Sequence, residues 1–149
     1  MTRRVFFKFW LPVLLWMAAI FTASTDLGST QHTSRIIGPF LRFFWPSVPE
    51  QVVEDVQTVA RKIGHMSGYA GLAILVWRAR HHGVFAQQWT RRNALIVEAI
   101  CLLYAASDEF HQSFVPTREA SIRDVLIDGC GAAVALFAIW WVGKKRKRW

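Results

Sequence analysis

At 149 residues, 53% of them apolar, the chain has the length of one domain, but its apolar residues fall in blocks that are better counted as membrane spans than as one core. A formal net charge of +8 would suggest nucleic acid in a soluble protein; no aromatic-interleaved basic face and no nucleic-acid motif accompanies it, so that partner is set aside and the charge is read as mainly topological. The two cysteines, Cys101 and Cys130, lie within apolar blocks and are too few for a disulfide framework or a metal cage, which leaves them as small apolar filler.

Crossing roughly 30 Å of hydrocarbon takes about 20 mostly apolar residues in a helix, and four stretches approach that length. The first, 6–24 (FFKFWLPVLLWMAAIFTAS), has one lysine near enough to its end to snorkel. Its basic start and the small residues of TAST also fit a cleaved secretory signal, but a long run holding Trp10, Pro12 and Trp16 favours an uncleaved anchor. An outer segment follows, 25–62. It opens turn-like (STDLGSTQHTS), then places Phe40, Leu41, Phe43, Phe44 and Trp45 between two prolines, as suits a stretch lying in the membrane interface. It closes with Val52, Val53, Val56 and Val59 at helical spacing and is expected to run straight into the second span, 63–79.

The second span carries His65 and Tyr69 near its start. A short polar loop (RARHHGVFAQQWTRR) leads to the third span, 93–110, with Glu98 inside it and Asp108 and Glu109 at its end. Both are weaker spans on hydropathy alone. A proline turn precedes the fourth, 124–142 (DVLIDGCGAAVALFAIWWV), which stops at the basic tail 144–149. The expected fold is therefore all-α: an integral membrane four-helix bundle with an outer interfacial segment between the first two spanning helices. With both termini cytoplasmic, twelve Lys and Arg lie inside and six outside, the bias that cytoplasmic loops carry. The tail is expected to rest against anionic lipid headgroups.

This topology brings the polar span ends to one face of the membrane. Lys62, His65 and Tyr69 share a helical stripe, as do Asp108, His111 and Gln112, with Glu109 also three residues from Gln112; Asp124 and Asp128 are four apart. Gly64, Ser67, Gly68 and Gly71 on one helix and Gly129, Gly131 and Ala132 on another would allow close approach. Charges near lipid usually face the bundle interior and pair with one another, which by default marks a functional site. Plainer roles stand beside that reading: a wetted helix end for Asp108 and Glu109, interhelical hydrogen bonding for His65 and Tyr69, an N-cap for Asp124, and a counter-ion for Arg118. For His111 and Glu98 the structural or snorkelling reading is preferred.

The string DEFHQSFVPTREASIRDVLIDGCG, with KIGHMSGYAGLAIL about forty residues upstream, resembles the VanZ-like family of small bacterial membrane proteins, named for an accessory protein of teicoplanin resistance. The similarity extends over roughly Trp10 to Val142. The family pattern falls on His65 and Tyr69, on Asp108, Glu109 and Gln112, on Pro116 and Arg118, and on Asp124, with a polar residue at the place of Asp128 and a helical glycine at Gly131. Thr117 stands where glycine is common. The resemblance implies four helices and a role at the cell envelope, in the cytoplasmic membrane of a bacterium, and it supplies no mechanism.

Two classes of function follow. In one, an outward-facing pocket binds an anionic amphiphile, a lipid or a lipid-linked cell-wall intermediate, with Arg118, Gln112, Tyr69, Asp128 and Lys62 as binding residues and a link to glycopeptide resistance. In the other the chain is a membrane-embedded hydrolase or transferase whose catalytic residues are Asp108, Glu109, His65 and Asp124, one of the acidic pair serving as general acid or base. A divalent metal could be held by Asp108, Glu109, Asp124 and His65, but the spacing matches no standard site and no cofactor is predicted. Proton-coupled transport and a purely structural bundle are weaker alternatives, and the oligomeric state is left open.

Overall fold

The computed structural model describes residues 2–25, 30–82, 89–115 and 120–147, the side chains of 30–36 excepted, and every described element is helical. Helix α1 runs over Arg3–Ser24. Its stretch Phe6–Trp10 is a π-helical turn, in which the Leu11 amide donates to the Phe6 carbonyl. The wider turn falls just ahead of Pro12, where a proline ring would otherwise crowd the preceding carbonyls and offers no N–H of its own.

Helix α2, Thr30–Phe44, begins inside the segment read as a turn, and Pro39 lies within it. Its described side chains leave Phe40, Phe43 and Phe44 exposed on one side, while Gly38 faces Val53 of the next helix. A Pro46–Ser47 turn and an Arg42–Glu50 ion pair connect it to α3, Glu50–Arg80. The outer valine-rich piece and the second apolar block are thus one continuous helix of 31 residues, about 46 Å long at 1.5 Å per residue. This exceeds the hydrocarbon thickness, and the first turns, with only Val53 and Gln57 buried, extend beyond the bundle beneath α2. At the other end His81 bonds the Trp77 carbonyl (2.8 Å) and meets the Asn93 amide (3.3 Å), tying the end of α3 to the start of α4.

Helices α4, Arg91–Gln112, and α5, Ile122–Lys145, complete the bundle. The most extensive packing is between α3 and α5, followed by α4 with α5. Gly131 explains the first: a Cβ there would collide with the main-chain carbonyl of Met66, so the two backbones touch. Gly71 and Gly129 likewise admit Trp16 and Leu102. Gly64 does not belong to this set, since a Cβ on it would meet nothing within 4 Å.

The core around these contacts holds Tyr69, Leu72, Val76, Trp77, Val97, Cys101 and Ala132. Cys130, by contrast, is exposed, so only one of the two cysteines fills the interior. Large apolar side chains cover the outside as well: Leu14, Leu15, Phe21, Leu95, Leu103, Phe110, Leu126, Val134 and Phe137 are all exposed, whereas Asp108, Glu109, Gln112 and Asp128 are buried. That polarity is inverted relative to a protein that faces water. Two helices, Arg3–Ser24 and Ile122–Lys145, are long and apolar enough to cross a membrane; α3 and α4 are more polar.

Candidate functional site: a buried carboxylate cluster below an interhelical cavity

The last turns of α4 alternate in environment with the helical period. Ala105, Asp108, Glu109 and Gln112 are buried, and Phe110 points outward. Asp108 accepts two hydrogen bonds at Oδ2, from the Ser24 hydroxyl of α1 (2.6 Å) and from the Gln112 amide one turn on (3.2 Å). Its Oδ1 is buried and receives none among the described residues. Glu109 faces elsewhere: its Oε2 accepts from the Ser121 backbone N–H at 2.8 Å.

That bond clarifies the start of α5. The N-cap is Ser121, whose hydroxyl accepts from the Arg123 amide, and Asp124 sits in the first turn instead of capping the helix. Glu109 thus does across two helices what the acid of a capping box does within one. It joins the end of α4 to the beginning of α5, and the two acids of the pair have different work.

Asp128, one turn further along α5, has no solvent exposure, and neither of its carboxylate oxygens has a hydrogen-bond partner among the described residues. His65 Nδ1 lies 3.5 Å from Oδ2, an ion-pair distance when the imidazole is protonated. The Tyr69 hydroxyl, buried and also without a hydrogen-bond partner, is within electrostatic reach of both Asp108 and Asp128. Asp108 and Asp128 also feel each other and His65. Burying a carboxylate costs several kcal/mol unless it is paired or hydrogen-bonded, and buried polar atoms in folded proteins are nearly always satisfied. Asp108 Oδ1, both oxygens of Asp128 and the Tyr69 hydroxyl are therefore acceptors and a donor set to hold protons, water or a ligand.

A cavity of about 430 Å³ opens onto this cluster between α1 and α3. Trp16, Ala19, Ile20 and Ala23 line one side; Ala60, Gly64 and Gly68 line the other, and Arg61, His65, Tyr69 and Ser24 supply its polar groups. Its shape has a local cause. The Trp16 indole donates to the Gly68 carbonyl (2.8 Å), which pins α1 to α3 at one end, and Gly64 leaves the wall open above. Ser24 and His65 belong to both the cavity and the cluster, so a molecule in the cavity would lie against residues that hold Asp108 and Asp128.

Among the residues expected from the sequence, His65, Tyr69, Asp108, Glu109, Gln112 and Asp128 are brought together, with Asp124 near Glu109. Lys62 is exposed. Pro116, Thr117, Arg118 and Glu119 lie outside the described residues. Among the described residues no group of three or more His, Cys, Asp or Glu side chains is disposed to hold a metal ion, so no step through a metal is derived. His111 packs its ring on Phe21, with centroids 4.3 Å apart, and contributes more to α1–α4 packing than to the cavity.

Ser24, Arg61 and Trp16 are not among the site residues expected from the sequence, although Trp16 is read there as part of an anchor. Ser24 had a usable signal, because an anchor that leaves the membrane at residue 24 ends on the same face as Asp108. Arg61 lies one turn before His65 on the same helix.

A family model described as VanZ/LLP1 matches residues 9–143. Comparison with curated proteins and with solved structures gave no match.

Proposed function

Given that the chain belongs to the VanZ/LLP1 family, we propose that it is a multi-pass protein of the bacterial cytoplasmic membrane whose outward-facing cavity binds an anionic amphiphile, a lipid or a lipid-linked cell-wall intermediate. In this reading α1, α3, α4 and α5 are the spans and both termini are cytoplasmic. The observation that carries it is the cavity between α1 and α3: apolar walls for a chain, with the cationic or ionisable side chains of Arg61 and His65 in its lining. An arginine fork suits phosphate or carboxylate better than a lysine does. Helix α2, with Phe40, Phe43 and Phe44 exposed, would lie along the outer headgroup region and bring α3 alongside arriving lipid. A contribution to glycopeptide resistance would follow from the family, with binding of a cell-wall intermediate as the physical link.

The test is photolabelling of the protein in lipid nanodiscs with an anionic lipid carrying a photoreactive group near its headgroup. Labels are expected on 16–24 and 60–69. Gly64 lines the cavity and a Cβ on it meets nothing within 4 Å, so Gly64→Leu should place its side chain in the cavity and abolish labelling while the helical spectrum is kept. Labelling that survives in folded Gly64→Leu protein overturns the cavity reading.

A second reading, a hydrolase or transferase, is favoured by one arrangement: His65 between the cavity and the bare carboxylate of Asp128, the geometry in which an acid orients an imidazole that moves a proton. The two readings separate in Asp128→Asn. A binding protein retains photolabelling and its effect on teicoplanin susceptibility together; an enzyme retains the first and loses the second.

A further inference from the structure

A second cavity lies at the other end of the bundle, and the residues around it have no part in the outer site. It is a space of about 520 Å³ between α4 and α5, lined by Trp89, Arg91, Glu98, Phe137 and Trp140 with small apolar residues between them. Glu98 is seven residues along α4 from Arg91, about 10 Å, and Asp108 is a further 15 Å on, so the two cavities occupy opposite halves. We propose that this inner cavity binds the headgroup of a zwitterionic amino-phospholipid, its ammonium against Glu98 and the aromatic walls, its phosphate toward Arg91.

Three features specify that chemistry. Glu98 presents a carboxyl group whose Oε2 is buried without a hydrogen-bond partner among the described residues, an acceptor open to a positive donor. The rings of Trp89 and Trp140, with centroids 6.4 Å apart and inclined by 56°, line the same cavity, and Phe137 lies 5.5 Å from Trp140. Aromatic walls beside a carboxylate are the standard recognition device for ammonium groups. Trp140 already draws one: the Lys144 ammonium sits 5.2 Å over its ring.

The remaining polar groups have the opposite sense. The Trp89 indole N–H is buried with no acceptor among the described residues, and Arg91 opens α4, where the Thr90 hydroxyl caps the first turn. A donor, a guanidinium and a helix N-terminus match a phosphodiester. A carboxylate acceptor and an indole donor that line one cavity, neither with a hydrogen-bond partner among the described residues, fit a zwitterion better than an anionic lipid, whose headgroup would leave Glu98 unpaired. Leu95 and Phe137, both exposed, lead from the cavity to the apolar outer surface of the bundle, where acyl chains would lie.

The proposal is independent of the outer cavity and shares with the preceding section only the membrane topology. Native mass spectrometry of the delipidated full-length protein, titrated with phosphatidylethanolamine, phosphatidylglycerol and N-acetyl phosphatidylethanolamine, measures it directly. Phosphatidylethanolamine should bind about tenfold more tightly than either of the others, the factor expected for one buried charge-assisted contact. Glu98→Gln should abolish that preference, Trp89→Phe should weaken binding by a smaller factor, and labelling of the outer cavity should be unchanged in both. Equal binding of the three lipids to the wild type overturns the proposal without requiring any variant to fold, as does an undiminished preference in Glu98→Gln. Loss of outer labelling in the wild type with the phosphatidylethanolamine preference intact would sink the outer reading alone.

Discussion

Ser24 and Asp108 are 84 residues apart in sequence, and the serine hydroxyl donates to the carboxylate across 2.6 Å in the bundle interior. With Gln112, this satisfies Asp108 Oδ2 among the described residues, and it is a polar link between the end of α1 and the end of α4.

Removing it should be costly out of proportion to the size of a hydroxyl. Ser24→Ala leaves a buried carboxylate with a single donor, and a loss of about 1–3 kcal/mol is expected. Ser24→Thr keeps the donor and should recover most of it. Thermal or denaturant unfolding in a mild detergent reads the difference; identical midpoints for Ala and Thr would show that the bond contributes nothing.

The glycines give a sharper contrast. Gly131→Ala drives a methyl into the Met66 carbonyl, and since the obstacle is backbone, α3 and α5 must move apart; a loss of about 3 kcal/mol or more is expected, at the upper end for overpacking. Gly64→Ala meets nothing and should fold as the wild type or slightly better, because alanine favours the helix. Yield of monodisperse protein and melting temperature check the pair. Equal tolerance of both substitutions would contradict the close crossing.

How much of this was legible in the sequence depends on the range of the interaction. The pairing of Asp108 with Gln112 and the stripe joining His65 to Tyr69 follow from helical spacing, and the shared level of the span ends follows from counting residues between turns. The inward aim of Asp128 was implied by its cost near lipid. The partners of Glu109 could not be read: a carboxylate bonding the Ser121 amide across an interhelical turn has no periodic signature, so the acidic pair read only as the source of a general acid or base. Helix α2 was hidden by its polar, turn-like opening and by Pro39, both of which local propensity counts against a helix. Gly64 was indistinguishable from the packing glycines, because only the position of α1 shows that its side faces a cavity.

The division between the two acids is itself testable. Glu109→Gln keeps an oxygen for the Ser121 amide and should change stability by less than about 0.5 kcal/mol, whereas Glu109→Ala, which strips the start of α5 of that acceptor, should cost about 1–2 kcal/mol, as for the loss of a helix cap. If Glu109→Gln instead eliminates, at full stability, an effect of the wild type on teicoplanin susceptibility, the carboxylate has a chemical role beyond joining two helices.

For His65 and Asp128 the relevant quantity is their coupling. A cycle of His65→Gln, Asp128→Asn and the double variant should return about 1 kcal/mol or more of interaction, since the two face each other at 3.5 Å with Asp128 fully buried. Strict additivity would mean that the imidazole does not compensate the carboxylate, and the proton-moving arrangement would lose its basis.

Topology is the premise common to both cavities, and two exposed positions decide it. Helix α4 is 22 residues long, about 33 Å, so Arg91 and Ser113 must sit on opposite sides of a bilayer that it crosses. In the proposed topology the basic end of α5, where Lys144 and Lys145 lie over Trp140 and Trp141, is the cytoplasmic one, as an excess of Lys and Arg would have it. In a background with Cys101 and Cys130 replaced, Ser113→Cys should react with a membrane-impermeant maleimide in intact cells, and Lys147→Cys only after permeabilisation. Protection of Ser113→Cys would turn the carboxylate cluster toward the cytoplasm. The outer cavity could then no longer meet cell-wall intermediates beyond the membrane, although the geometry of Ser24, Asp108, His65 and Asp128 would be unaffected.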